Sequence, residues 1–132
     1  IGGEGNGGII LPELHYGRDA LVGIALFLSH LSRLNISCSR LRSNYPDYFM
    51  SKDKVKLNDN LDVESIIKNI ALAYSSEKTN IIDGLKIDFD DSWVQLRKSN
   101  TEPIIRVYSE AKSQEEAEKL SKKFISEIKK FS

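Results

Sequence analysis

The chain has one cysteine, two histidines and no excess of charge of either sign, and each shortage removes a class of function. Cys38 alone cannot close an internal disulfide, which is compatible with a reducing compartment. The histidines and the cysteine lie far apart and give no metal-ligand spacing. Lys plus Arg and Asp plus Glu stand at 19 each, so no general field gathers nucleic acid or an anionic membrane. Any anion site has to be built locally. The longest apolar run, 20–28, falls well short of the roughly 20 residues that span a bilayer. No signal-peptide pattern opens the sequence. The expectation is a cytoplasmic protein without nucleic-acid or membrane partners.

What is present suits one domain, or a small domain plus part of another: 132 residues of which 40% are hydrophobic. Residues 1–8 hold five glycines, a loop whose backbone can approach a ligand closely. Gly3, Gly5 and Gly8 match the G-x-G-x-x-G dinucleotide pattern, but Ile9-Ile10-Leu11-Pro12 follows where a helix should start. No helix N-terminus then awaits a pyrophosphate, and Glu4 would set a negative charge among the phosphates. A carboxylate and an amide amid glycines fit neutral hydroxyls better, such as those of a sugar; a plain flexible terminus has the same composition.

Asp19 is an N-cap for a helix over 20–34 that is apolar nearly all round as far as Leu31. Such a helix is normally buried on several sides. Little before it could cover it, so this region reads as the tail of a domain, and a second copy could pair through the helix. His15 is expected to make a local hydrogen bond to backbone, and His30 to pack or face solvent. A short helix over 36–44 would bury Cys38 and Leu41. Tyr45-Pro46-Asp47 breaks it, which places a boundary there: residues 1–45 as one domain's tail and 46–132 as a second domain.

The second part is α+β. A strand over 48–57 grows more charged along its length, and Asn58-Asp59-Asn60 turns it. Asp62 caps a helix with Val63, Ile66, Ile67, Ile70, Ala71 and Tyr74 on one stripe. Asp83-Gly84 between Ile81-Ile82 and an alternating run over 85–89 predicts a hairpin. Asp90-Asp91 turns into a further strand. Ser113 to Glu116 reads as a capping box, and Ala117, Leu120, Phe124, Ile128 and Phe131 stripe the last helix. The expectation is an antiparallel sheet of about four strands with two amphipathic helices on one face.

Residues 97–106 carry the chemistry. Two alternating strands, 92–98 and 104–109, flank Ser99-Asn100-Thr101-Glu102-Pro103. If Val94, Leu96, Ile105 and Val107 face a core, then Arg97 and Arg106 leave the opposite face together, beside short hydroxyl and amide side chains. Arginine forks, hydroxyls and backbone N–H groups make a donor surface suited to phosphate. Glu102 is expected to point away or to hold an arginine. A polar hairpin with two solvated arginines would share the spacing.

Two separated stretches resemble one family. Arg97-x-Ser99-Asn100-Thr101-Glu102-Pro103-x-x-Arg106 looks like the phosphate-binding loop in the C-terminal domain of the α-D-phosphohexomutases: the phosphoglucomutases, phosphomannomutases and phosphoglucosamine mutases. Gly3-Glu4-Gly5-Asn6-Gly7 resembles the sugar-binding loop of their third domain, usually Gly-Glu-x-Ser-Gly-His, and Gly17-Arg18-Asp19-Ala20 resembles the helix start after it. Gly8 stands where that histidine would be. The resemblance implies a four-domain enzyme that interconverts hexose 1-phosphate and 6-phosphate through a phosphoserine and a bisphosphate intermediate. It implies Mg2+ in the whole enzyme, a hexose bisphosphate activator, and a phosphosugar substrate. Arg97, Ser99, Asn100, Thr101 and Arg106 would hold the substrate phosphate; Glu4 and Asn6 would meet sugar hydroxyls. The family's phosphoserine loop and its Asp-x-Asp-x-Asp magnesium loop do not occur here, and Asp88-Phe89-Asp90-Asp91 lacks that spacing. Catalytic residues are therefore expected in N-terminal domains outside these 132 residues, and the chain alone should not turn over. The competing reading is a stand-alone phosphate-binding or protein-interaction module.

Overall fold

The computed structural model describes residues 1–3, 7–56 and 62–131. Contacts divide the chain into two units, Ile1–Pro46 and Asp47–Ser132.

In the first unit the glycine-rich opening folds back instead of leading into a helix. β1 (Gly2–Gly3) pairs antiparallel with β2 (Ile9–Ile10). α1 (Ala20–Leu34) starts where Asp19 accepts from the Leu21 and Val22 N–H groups, and ends at Asn35 in the left-handed conformation, φ 51°. The cap bonds hold the Asp19 carboxyl below its ordinary range, the bond from Val22 first and the bond from His15 second. The His15 ring accepts from the Gly17 N–H through Nδ1 at 3.0 Å and meets Asp19 through Nε2 at 3.1 Å, the local role expected of it. A Cβ on Gly23 would stand 2.8 Å from the Ile9 side chain, so this helical glycine seats β2 against α1. Leu21, Ile24, Phe27 and Leu28 of α1 stay exposed. α2 (Cys38–Arg42) is capped by Ser37 and buries Leu41 alone. Cys38, expected on the buried side, is exposed, because so short a helix offers only one residue to the interior.

The second unit is built on an antiparallel sheet of β3 (Phe49–Lys56), β4 (Lys78–Asn80), β5 (Leu85–Asp88), β6 (Trp93–Lys98) and β7 (Ile104–Ala111), in the order β3-β7-β6-β5-β4. It has five strands where about four were expected, since β3 extends the meander by pairing with β7 along its whole length. α3 (Val63–Ala73) and α4 (Gln114–Lys130) bury their stripes on one face. Val63, Ile66 and Ile70 from α3 and Phe124 and Ile128 from α4 meet Val55, Leu85, Ile87, Val94, Leu96, Ile105 and Val107 from the sheet. Burying a side chain of this kind contributes about 1.5–3 kcal/mol relative to exposure, so this cluster is the main reason the two helices dock. Phe131, expected to complete the α4 stripe, lies beyond the last helical residue and is exposed.

Polar groups complete the layer. Ser113 caps α4 through the Glu116 N–H, and its hydroxyl donates to the Glu116 carboxylate. Ser121, fully buried inside α4, donates to Asp53 Oδ2 at 2.6 Å and ties the helix to β3.

The predicted hairpin around Asp83-Gly84 forms between β4 and β5, but its first strand is not where it was expected. Ile81 and Ile82 are not strand residues; the strand ends at Asn80, whose side chain accepts from the Ile82 N–H at 2.9 Å. That turn takes the chain off the sheet, and both isoleucines become exposed. The expected turn at Asn58-Asp59-Asn60 lies outside the described residues.

Candidate functional site

Strand parity places the two arginines. Val94, Leu96, Ile105 and Val107 are fully buried under the helices, and the residues between them leave the other face. Arg97 of β6 stands directly opposite Arg106 of β7. Such a pair has its Cβ atoms about 4.5–5.5 Å apart, close enough for both guanidiniums to reach one small anion.

The connecting loop is shaped by its own backbone. Ser99 N–H donates to Ile104 O at 3.0 Å and closes the hairpin; Ile104 N–H donates to Glu102 O at 2.8 Å, a three-residue turn around Pro103. Ser99 is buried, its Oγ 3.4 Å from Thr101 Oγ1 and 3.5 Å from the Thr101 N–H. Contacts that long are loosely committed. Arg97, Lys98, Ser99, Asn100, Thr101 and Arg106 line a cavity of about 210 Å³. The five residues expected to hold phosphate thus converge on one concavity.

A carboxylate from the turn between β4 and β5 holds one of the arginines. Asp83 Oδ1 is 3.0 Å from Arg97 Nε. The same turn accepts a bond from Gln95 Nε2 at the Asp83 carbonyl, 3.0 Å away. Gly84 makes this approach feasible: its φ is +75°, and a Cβ there would lie 2.2 Å from the Leu96 carbonyl oxygen. Glu102 makes no ion pair with either arginine among the described residues, and faces a neighbouring cavity instead. Sequence reasoning recognised Asp83-Gly84 as a turn but missed its tie to Arg97, since their meeting depends on the β5–β6 register.

In the first unit, Gly3, Gly8, Ile10, Tyr16, Gly17 and Arg18 line a cavity of about 580 Å³ beside the glycine run. Glu4 and Asn6 lie outside the described residues. Asp88 pairs with Lys86, and Asp91 with Lys112 at 2.6 Å, so both ends of the acidic run 88–91 are tied into local ion pairs. No group of three or more His, Cys, Asp or Glu that could hold a metal occurs among the described residues. No helix among them is long and apolar enough to cross a membrane.

The comparisons with known proteins assign this α+β layer to a family. The family model described as phosphoglucomutase/phosphomannomutase, C-terminal domain, matches residues 53–127, and the chain belongs to that family. Among individual relatives, it is 43% identical over 131 residues to the phosphoglucosamine/phosphogalactosamine mutase of Sulfurisphaera tokodaii, covering 98% of this chain and 28% of that one. It is 40% identical over 119 residues to the phosphoglucomutase/phosphomannomutase of Thermococcus kodakarensis, covering 89% and 26%. The chain thus spans little more than a quarter of the length of these relatives. Among solved structures, a phosphoglucomutase/phosphomannomutase family protein from Burkholderia thailandensis superposes with a TM-score of 0.65 at 23% identity, covering 92% of this chain and 26% of that one. The N-acetylphosphoglucosamine mutase of Aspergillus fumigatus, solved with GlcNAc-6P and magnesium, gives 0.51 at 17% identity over 86% of this chain and 23% of that one. Both likenesses concern the fold.

Proposed function

We propose that the hairpin over 97–106 grips the phosphate of a hexose phosphate, as the C-terminal part of a phosphohexomutase of phosphoglucosamine or phosphomannomutase type. The observation that carries this reading is the direct opposition of Arg97 and Arg106 beside Ser99, Asn100 and Thr101, all lining one cavity of about 210 Å³. The relatives' names supply the substrate class: they are mutases of phosphosugars.

In such an enzyme a phosphoserine gives its phosphoryl group to the bound sugar phosphate, forming a bisphosphate that turns round and returns the other phosphate. The part of the site that does not react must hold a dianion in both orientations of the sugar. Forked guanidiniums and hydroxyls recognise the phosphate without reading the ring, which suits that task. Glu4 and Asn6 would add contacts to sugar hydroxyls. The phosphoserine and the Mg2+ ligands would come from N-terminal domains beyond this chain, in a cytoplasmic enzyme activated by a hexose bisphosphate. The chain alone would bind without turnover.

Calorimetric titration of the 132-residue chain with a hexose 6-phosphate and with the same hexose unphosphorylated tests the reading. Saturable heat with the phosphate ester and none with the free sugar is the expected result. Equal heat with both, or none with either, would overturn it.

A further inference from the structure

The sheet register places three cations in one row. Lys54 of β3 stands directly opposite Arg106 of β7, and Arg106 directly opposite Arg97 of β6. The neighbours of these residues along each strand, Val55, Ile105, Val107 and Leu96, are buried under the helices, so the row occupies the open face. Like charges set directly opposite one another destabilise a sheet. The only carboxylate paired with the row among the described residues is Asp83, at its Arg97 end; Arg106 and Lys54 have no ion pair there. Arg106 is also shared by two cavities. One is the hairpin concavity of about 210 Å³, and the other, of about 520 Å³, is also lined by Lys52, Asp53, Lys54, Glu102, Ile104 and Tyr108; the Asp53 carboxylate accepts from the Ser51 and Ser121 hydroxyls. A row of cations running from one cavity into the next, with a carboxylate only at its Arg97 end, is what an anion bound at Arg106 would draw together.

We propose that Lys54 is a further phosphate-binding residue of this site, closing over the anion from the β3 side. The inference rests on the phosphate reading of the hairpin and extends it to a third strand. An ammonium on a four-carbon stem brings a compact charge with rotatable donors, whereas each arginine brings a rigid fork. The two kinds of cation therefore divide the work. The forks fix the phosphate's place, and Lys54 adds attraction that follows the anion as the attached sugar changes orientation. Its ligand is the phosphate dianion, not the ring, so it should act equally on inorganic phosphate and on a sugar phosphate.

The test measures binding of inorganic phosphate and of a hexose 6-phosphate to the full chain carrying Lys54→Gln, Lys54→Arg, Arg97→Gln or Lys86→Gln. Lys86 lies on the same open face but is occupied by Asp88 and the Trp93 ring. Lys54→Gln should weaken both ligands by the same factor, about fivefold, with Lys54→Arg restoring most of the affinity and Lys86→Gln leaving it unchanged. Unchanged affinity in Lys54→Gln while Arg97→Gln loses binding would overturn the role of Lys54 and leave the hairpin reading intact. Equal weakening by Lys54→Gln and Lys86→Gln would also overturn it, since the effect would then be general charge. Absence of any phosphate binding by the unaltered chain would remove the hairpin reading, and Lys54 with it.

Discussion

Arg97 Nε lies 3.0 Å from Asp83 Oδ1, joining the hairpin that carries the candidate phosphate loop to the turn between β4 and β5. Both side chains are about half exposed. An exposed pair of this kind contributes about 1 kcal/mol or less to stability. Its consequence is orientation: with Nε engaged, the terminal nitrogens of the fork stay available at the cavity.

Asp83→Ala should therefore leave the melting temperature nearly unchanged and weaken phosphate binding about three- to fivefold, the equivalent of roughly 1 kcal/mol. Thermal denaturation and calorimetric titration of the same preparation separate the two effects. A large drop in melting temperature would mark Asp83 as a structural residue instead of one that positions Arg97.

Arg97→Met keeps much of the side chain's apolar stem and removes the fork. Each charge-assisted hydrogen bond contributes about 1.5–3 kcal/mol, so binding of a hexose 6-phosphate should fall more than tenfold. A loss of twofold or less, read by titration, would contradict the central place given to this residue.

Gly84→Ala tests the turn itself. The substitution puts a side chain at φ +75° and a Cβ 2.2 Å from the Leu96 carbonyl oxygen. A non-glycine residue at such a φ costs about 1–3 kcal/mol, and the collision adds to that. Chemical denaturation should show the loss, with phosphate affinity falling as well because β6 must shift at Leu96 and Arg97.

Much of this geometry could be read in advance, and the reasons are local. Alternation in 92–98 and 104–109 assigns faces to Val94, Leu96, Ile105 and Val107 without knowledge of partners, so the arginines' shared face follows from parity. The Asp62 and Asp19 caps were legible for the same reason. What escaped depends on meetings between distant segments. Lys54 opposite Arg106, Asp83 beside Arg97, and Ser121 donating to Asp53 across 68 residues all require the register or the packing. Ser121 also defeats a count of apolar residues, because a hydroxyl with a partner buries as readily as a methyl group. Ile81 and Ile82 misled in the opposite way: two β-branched residues read as strand, while the Asn80 side chain had already turned the backbone away.

Asp62 gives a pH prediction. Its carboxyl accepts from the Ser65 hydroxyl at 2.6 Å and from the Ser65 and Glu64 N–H groups, and these bonds, the Ser65 hydroxyl first, hold its pKa below the ordinary 3.8. A carboxyl whose pKa is lower folded than unfolded stabilises the fold above the unfolded pKa, and that contribution is lost as pH falls through the folded one. Amide protection in the first turn of α3, taken relative to the intrinsic exchange rate at each pH, should accordingly hold above pH 3.8 and fall below it. In Asp62→Ala, exchange there should already be fast at neutral pH, with no such step.

The most direct test of the account is a map of amide chemical shifts in the 132-residue chain as a hexose 6-phosphate is added. The account predicts saturable shifts concentrated at Arg97, Ser99, Asn100, Thr101 and Arg106, reaching Lys54 across the sheet and absent with the unphosphorylated sugar. Shifts confined to other parts of the chain, with the hairpin silent at saturation, would contradict it.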